Sequence, residues 1–303
     1  MSFRFGLQSM ARDVVGVCDD ARDAEVAGFD VFQVGDHVGA GASPLISLAA
    51  AAAVTERITL GTLVLNNDLR HPVVLAQELA TLDRLSDGRV EVGVGARHSF
   101  TEYAAAGLQF DPPAVRKQRL ADSVEIIRSL LDGSRTTFRG RHYTVEDATI
   151  LNPKQGHVPI LVGVNGKAPL AHAARHADIV APTMLGRTLA DGQTHEARWE
   201  TARLDETVEW IRGAATSAGR RVSLHALVQA VVVTSDRKSV AEDIARRYGI
   251  ALSDVLATPF LCLGTHREIS DHLLKCRQRW GIEYYTVRAI DEFAPVITDL
   301  RGV

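Results

Sequence analysis

The chain has 303 residues, enough for one large α/β domain or two ordinary ones with a sizeable core. Its 34 Lys and Arg against 37 Asp and Glu leave a net charge of −3, without the basic excess that nucleic-acid binding as a main role calls for. The most apolar stretch, PLISLAAAAAV, stops at Thr55-Glu56-Arg57 and is too short to cross a bilayer, and MSFRFGLQSMARD lacks the apolar run of a signal peptide, so a cytoplasmic protein with no membrane partner is expected.

Strand-like runs rich in β-branched residues and bounded by Gly, Asp, Asn or Pro recur along the chain. They cover residues 3–8, 31–36, 58–66, 90–96, 159–164, 178–184, 222–233 and 284–289. Between them lie segments of helical period. Val14, Val17, Cys18, Ala21 and Ala24 form one apolar stripe, and Leu75, Leu79, Leu82 and Leu85 a second. Leu120, Val124, Ile127 and Leu131 form a third, and Ile269, Leu273, Cys276 and Trp280 a fourth. Thr265-His266-Arg267-Glu268 opens the last of these as a capping box, in which hydroxyl and carboxylate satisfy early N–H groups reciprocally. The cysteines, Cys18, Cys262 and Cys276, are too far apart for a CxxC motif and read as reduced thiols, with Cys18 and Cys276 expected to be buried.

Eight strands alternating with helices predict a single (β/α)8 TIM barrel over residues 1–303, with an open doubly wound sheet as the rival. Two insertions break the alternation. Residues 133–158 read as a hairpin or loop before strand five, and residues 185–203 as a long polar stretch after strand six, where long loops often cover a site.

The run RVEVGVGARHSF resembles the start of a dinucleotide loop. A fingerprint needs a third glycine to let helix and strand pack closely, and here the series is Gly93, Gly95, His98. Crowding inside a barrel accounts for Gly93. It does not account for Ala96, Arg97 and His98 at a strand's C-terminal end, where barrel active sites lie. Asp36-His37 closes the second strand before a Gly-rich loop, so His37 is a candidate for proton transfer, with Asp36 orienting the imidazole or touching a cofactor. The third strand ends in Asn66-Asn67-Asp68, a polar rim with Asn66 facing the site, and Pro72 opens the next helix. Gly163, Val164, Asn165, Gly166 and Lys167 run from a strand into a helix: glycines admit an anion to backbone N–H groups, the helix N-terminus favours it, and Lys167 adds a cation. The plainer reading is an ordinary strand–helix turn. His172 and His176 have the i, i+4 spacing of a zinc helix, but HAARH carries no Glu, and a helix face with His176 near the C-terminal dipole is expected instead.

Together these positions resemble the luciferase-like monooxygenase superfamily, in particular its F420-dependent oxidoreductase subgroup. The blocks that carry the resemblance are AGFDVFQVGDHV, TERITLGTLVLNNDLRHPVVLAQELATLDRLSDGRVEVGVGA, DPPAVRKQRLADSVEIIRSLL, VPILVGVNG and LGTHREISDHLLKCRQRWGIEYYTV, whose order spans nearly the whole chain. The resemblance implies a (β/α)8 barrel with the deazaflavin coenzyme F420 in its C-terminal mouth. Asp36 and His37 would then lie by the ring, with His37 exchanging a proton. Leu63-Val64 would form the bulge behind the ring, a non-proline cis peptide in relatives. Asn66 would meet the ring's polar edge, and Gly163 to Lys167 the coenzyme phosphate. Arg97 and His98 stand where many relatives carry a Gly and then Trp or Glu, so His98 is a second candidate acid–base group. Lys167, Arg97 and Arg187 are candidates for attracting the coenzyme's anionic tail. The implied function is hydride transfer between F420 and a small organic substrate. The alternatives are an FMN-dependent two-component monooxygenase, a metal-dependent hydrolase using His37, His71 and His98, and a non-catalytic coenzyme-binding protein. No metal is called for by the leading reading, and a homodimer is left open.

Overall fold

The computed structural model describes residues 2–39, 41–96, 99–188 and 195–303. The first strand, β1 (Arg4–Gln8), leads through α1 (Val14–Ala27) to β2 (Val31–Val34), and α2 (Pro44–Val54) leads to β3 (Thr59–Thr62) and its short continuation β4 (Leu65–Asn66). After α3 (Pro72–Leu85) comes β5 (Val90–Gly95), then α4 (Phe100–Ala105) and the long α5 (Pro113–Leu131). A hairpin of β6 (Thr136–Arg139) and β7 (Thr144–Ala148) precedes β8 (Ile160–Val164), α6 (Lys167–His176) and β9 (Ile179–Pro182). A second hairpin, β10 (Leu185–Thr188) with β11 (His195–Ala197), follows, then α7 (Thr201–Ser217) and β12 (Ser223–Leu227). The chain closes through β13 (Ala230–Val233), α8 (Arg237–Tyr248), α9 (Leu252–Ala257), β14 (Leu261–Gly264), α10 (His266–Trp280), β15 (Ile282–Val287) and α11 (Ala294–Leu300).

The strands run β3-β2-β1-β15-β12-β9-β8-β5-β4, and β3 also pairs with β5. Every one of these pairings is parallel. Counting β3 and β4 as one interrupted strand, the sheet closes into an eight-stranded barrel with helices outside: a (β/α)8 fold. The two insertions fall where the alternation breaks, before the fifth barrel strand and after the sixth. The segment 222–233 is not one strand. It divides into β12 in the barrel and β13, which pairs in parallel with β14 outside it. The physical reason is a break at Val228 and Gln229, whose N–H groups bond Thr286 and Phe260 carbonyls and redirect the chain. Among the described residues, no helix is long and apolar enough to cross a membrane.

Alternation along each strand divides the core in two. Outward residues such as Leu60, Val92, Val94, Ile160, Val162 and Val164 join the large cluster under the helices. Inward residues Val31, Leu63, Leu161, Ile179, Ala181 and Tyr284 form a separate small cluster inside the barrel. The helical stripes pack as their period requires, with Leu75, Leu79, Leu120, Val124, Ile127, Leu131, Ile269, Leu273 and Trp280 buried. Leu85 is exposed and Cys18 only half-buried, because each lies at the edge of its apolar stripe rather than on its centre line. Burial pushes the Cys276 thiol up to about 12, so it is an inert core group. The α10 capping box is present, with the Glu268 carboxylate accepting from Thr265 N–H and Thr265 Oγ1 from Glu268 N–H.

Candidate functional site

Polar side chains bridge strands that are not neighbours, so their bonds cross the barrel interior. Near its N-terminal end, Arg4 of β1 pairs with Glu91 of β5, which accepts from Tyr284 Oη at 2.8 Å. Next, Gln33 donates to Tyr284 Oη at 3.1 Å and accepts from Thr286 Oγ1 at 2.7 Å, and His225 lies 2.8 Å from that hydroxyl. Burial holds His225 down to about 3, so it stays a neutral packing residue. Toward the C-terminal mouth, Gln8 donates to the Leu63 carbonyl at 2.6 Å and accepts from Arg288 Nε at 2.8 Å. Arg288 is solvent-exposed, and among the described residues no carboxylate pairs with it. A cleft of about 480 Å³, lined in part by Arg4, Asp30 and Glu283, opens at the opposite, N-terminal end. That end of a barrel carries stability rather than chemistry, and the groups considered below all lie at the mouth.

The peptide Leu63-Val64 is cis, between β3 and β4. Val64, half-buried, sits against three glycines on the two neighbouring strands. A Cβ on Gly93 would stand 2.0 Å from the Thr62 carbonyl oxygen, and one on Gly95 2.7 Å from Val64 Cγ2. A Cβ on Gly163 would meet Val64 Cγ1 at 3.4 Å, an ordinary contact. Gly93 is further pinned by Thr62, whose hydroxyl donates to Gly93 O at 2.8 Å and accepts from Gly93 N–H at 2.9 Å. The Gly93–Gly95 pair thus clears space in the barrel for the Val64 bulge; it does not cradle a pyrophosphate.

Asp36 is 3 % exposed and fully engaged. Its carboxylate accepts from Asn66 N–H at 2.9 Å and from Arg70 Nη1 at 2.6 Å. It therefore does not orient His37. That role falls to Glu102 of α4, whose Oε1 lies 2.9 Å from His37 Nδ1, with the imidazole two-thirds exposed. Asn66 Oδ1 accepts from Asp68 N–H at 3.1 Å and lies 3.3 Å from Tyr103 Oη. Its amide Nδ2 is buried without a hydrogen-bond partner among the described residues, which is costly unless a ligand acceptor meets it. Two further contacts tie this rim together: Tyr103 donates to Asp68 Oδ2 at 2.8 Å, and Arg119 Nη1 reaches the same oxygen at 2.7 Å. Burial and the Asp68 carboxylate push the Tyr103 hydroxyl far up, so it stays protonated and donating.

The Ala96 carbonyl accepts from Arg116 Nε at 3.3 Å, so this backbone position is anchored from α5. Arg97 and His98 lie outside the described residues, as does the Arg187 side chain. At the β8–α6 turn, Val164 points outward into the helix-side core and can offer only its backbone. Asn165 is spent on structure: its amide donates to Leu185 O at 3.1 Å and to Thr183, and its Oδ1 accepts from Met184 N–H at 3.1 Å. Gly166 has φ +99°, an N-cap conformation that L side chains rarely adopt, and α6 starts behind it with no side-chain cap. The Lys167 ammonium lies 5.6 Å from the Trp210 ring centroid. A second cation stands at the turn, since Lys117 Nζ donates to Asn165 O at 2.9 Å. Burial and the neighbouring Arg116 lower the Lys117 pKa. His71 caps α3, with Nδ1 accepting from Val73 N–H at 3.3 Å, so it is a structural residue.

Glu102, Arg70, Lys117 and Arg288 are the mouth residues that sequence reasoning passed over. Glu102 and Arg70 sit outside strands, Lys117 lies in a basic helical run with Arg116 and Arg119, and Arg288 is a lone charge with no motif around it. The one available hint was position: Arg288 lies at the C-terminal end of the expected strand 284–289.

Residues 8–281 match the luciferase-like monooxygenase family. Among curated proteins, the chain is 40 % identical over 163 residues to an F420-dependent glucose-6-phosphate dehydrogenase of Beutenbergia cavernae, covering 51 % of this chain and 48 % of that protein. It is 37 % identical over 185 residues to the protein of the same name from Nakamurella multipartita, covering 58 % and 54 %. The chain spans about half the length of the curated relatives it matches. Among solved structures, the coenzyme F420-dependent tetrahydromethanopterin reductase from Methanopyrus kandleri superposes with a TM-score of 0.78 at 20 % identity, over 99 % of this chain and 100 % of that one. A monooxygenase from Streptomyces bottropensis superposes with a TM-score of 0.73 at 22 % identity over 98 % of both chains, so the fold is shared by enzymes of different chemistry. With the closed barrel, the Leu63-Val64 bulge and a family match over most of its length, this chain belongs to the luciferase-like monooxygenase family.

Proposed function

We propose that the protein is an F420-dependent oxidoreductase that transfers a hydride to or from a small organic substrate in the barrel mouth. The observation that carries this reading is Val64 packed over Gly93, Gly95 and Gly163 at the barrel mouth, with the Asn66 amide beside it unpaired among the described residues. A flat heteroaromatic ring with a carbonyl edge fits both: its face lies on Val64 and its edge offers the amide an acceptor. The matches to F420-dependent dehydrogenases support the choice of coenzyme. F420 supplies, when bound, the hydride-transferring carbon.

The protein's own residues do the remaining work. Arg70 and the Asn66 N–H hold Asp36, which fixes the end of β2 and so the place of His37. Glu102 holds His37 at Nδ1, and a carboxylate there stabilises the imidazolium that forms when the ring takes a proton. His98 is retained in the proposal as a second proton-exchange group, with Arg97 and Ala96 beside the coenzyme. Leu63, Val64 and Asn66 receive the ring. Gly163, Val164, Asn165, Gly166 and Lys167 receive the coenzyme phosphate through backbone N–H groups at the α6 N-terminus, with Lys117 as a further cation. Arg288, aimed by Gln8 and with no carboxylate partner among the described residues, suits a substrate that carries an anionic group.

The test is a pair of titrations with oxidised F420 and with FMN, followed by intrinsic fluorescence. Micromolar binding of F420 alone supports the reading; binding of FMN alone moves the protein to the oxygen-using flavin enzymes of its fold. Binding of F420 with no turnover across reductant and substrate screens would leave a coenzyme carrier.

A further inference from the structure

The strongest feature outside the mouth lies between α5 and α6. His172 and His176 sit one turn apart on α6, with their rings stacked at 4.3 Å between centroids and 19° between planes. Glu125 of α5 faces them, its Oε1 3.8 Å from His172 Nε2. One ligand atom from each residue falls within 4.8 Å of the others. The neighbouring helix thus provides the carboxylate that HAARH lacks.

His172 Nε2 is buried and makes no hydrogen bond among the described residues, and 3.8 Å from the carboxylate is too far for one. A buried ring nitrogen facing a carboxylate across a gap too wide for a hydrogen bond is unfavourable unless a cation sits between them and bonds to both. Of the charges around the cluster, Asp122 favours a cation and Arg175 opposes it. Arg220 opposes it weakly, because it is itself 3.4 Å from Asp178.

We propose that His172, His176 and Glu125 form a binding site for one divalent transition-metal ion of the zinc class. Two neutral imidazoles and one carboxylate are a ligand set that borderline cations take up, with water completing the coordination. In tetrahedral geometry the ligand atoms stand about 3.3 Å apart, so small rotations of the half-exposed Glu125 and His176 side chains close the triangle. The site lies on the outer helix layer and is not part of the coenzyme mouth, so the ion would clamp α5 to α6 and stabilise the barrel rather than take part in hydride transfer.

The test uses the full chain after chelator treatment, titrated with Zn²⁺ and, for its visible spectrum, Co²⁺. The wild type is expected to bind one ion per chain, to show the intense absorption of low-coordinate Co²⁺, and to melt at a higher temperature with Zn²⁺ than without. His176→Ala and, separately, Glu125→Gln should each weaken binding by about tenfold or more and abolish the thermal shift. His37→Ala, which alters the histidine–carboxylate pair at the mouth, should leave both readouts unchanged. No stoichiometric binding by the wild type overturns the proposal, as does unchanged binding in both cluster variants or loss of binding in His37→Ala.

Discussion

The packing of Val64 against three glycines makes a graded prediction, because the three substitutions to Ala meet different obstacles. At Gly163 the new methyl would touch Val64 Cγ1 at 3.4 Å, an ordinary contact. The Ala should be neutral or stabilise by about 0.4–1 kcal/mol through the unfolded chain's lost freedom. At Gly95 the methyl would be 2.7 Å from Val64 Cγ2 and 3.1 Å from Gly163 O. Such overpacking costs about 1–3 kcal/mol. For a protein of this size that is a fall in Tm of roughly 2–5 °C. At Gly93 the obstacle is the Thr62 carbonyl at 2.0 Å, on a residue whose hydroxyl makes two hydrogen bonds to the Gly93 backbone. No rotamer change relieves it, so the loss should exceed about 3 kcal/mol. Val64→Ala then separates side chain from backbone. In a double-mutant cycle by urea unfolding, Val64→Ala should recover about 1–2 kcal/mol of the Gly95→Ala loss and none of the Gly93→Ala loss. The same variants should be titrated with F420, where Gly95→Ala is expected to weaken binding by displacing Val64. Additive behaviour of Gly95→Ala and Val64→Ala within about 0.5 kcal/mol, or a Gly93→Ala protein as stable as the wild type, would refute the account.

Three further outcomes follow from the side chains. His37→Ala should keep the fold and lose most of the hydride-transfer rate in single turnover, while Glu102→Gln should shift the pH profile of that step; an unchanged rate and profile would remove the pair from the mechanism. Lys117→Ala should weaken coenzyme binding by roughly tenfold, more than Lys167→Ala, because Lys117 stands at the Asn165 carbonyl while Lys167 is drawn to Trp210; equal effects would argue against this turn as the phosphate site. Burial holds His172 and His272 down to about 4 and His225 to about 3, against an ordinary value of 6.5. The unfolded chain takes up protons near pH 6.5 that the folded chain refuses until pH 4 or below, so stability is full above 6.5 and falls as the pH drops toward 4. Urea midpoints at pH 7, 6 and 5 should decline, less steeply in His272→Gln, where the amide can still donate to Thr258 O; a flat profile would contradict the burial of these imidazoles.

Local periodicity settled the fold class because each element carries its own signal. Strands buried on both faces read as continuous β-branched runs, and the helices between them show one apolar stripe each, so the order of eight alternations was legible residue by residue. The capping box at Thr265 and the Pro72 helix start are local devices and were readable for the same reason. The boundary between β12 and β13 was not, since what divides an unbroken apolar run is a pair of distant carbonyls, Thr286 and Phe260. The glycines of RVEVGVGARHSF illustrate the limit best. Their absence of side chains is written in the sequence, but the groups that need the space, Val64 and the Thr62 carbonyl, come from another strand. The same holds for charge pairing. Asp36 and His37 are neighbours in the chain, yet the barrel gives the carboxylate to Arg70 and the imidazole to Glu102. Glu125 meets His172 only because α5 packs on α6. Sequence by itself determined which residue types stand at the strand ends; tertiary packing decided which of them are already neutralised and which are left to meet a ligand, because hydrogen bonds and ion pairs depend on distance in space and not along the chain.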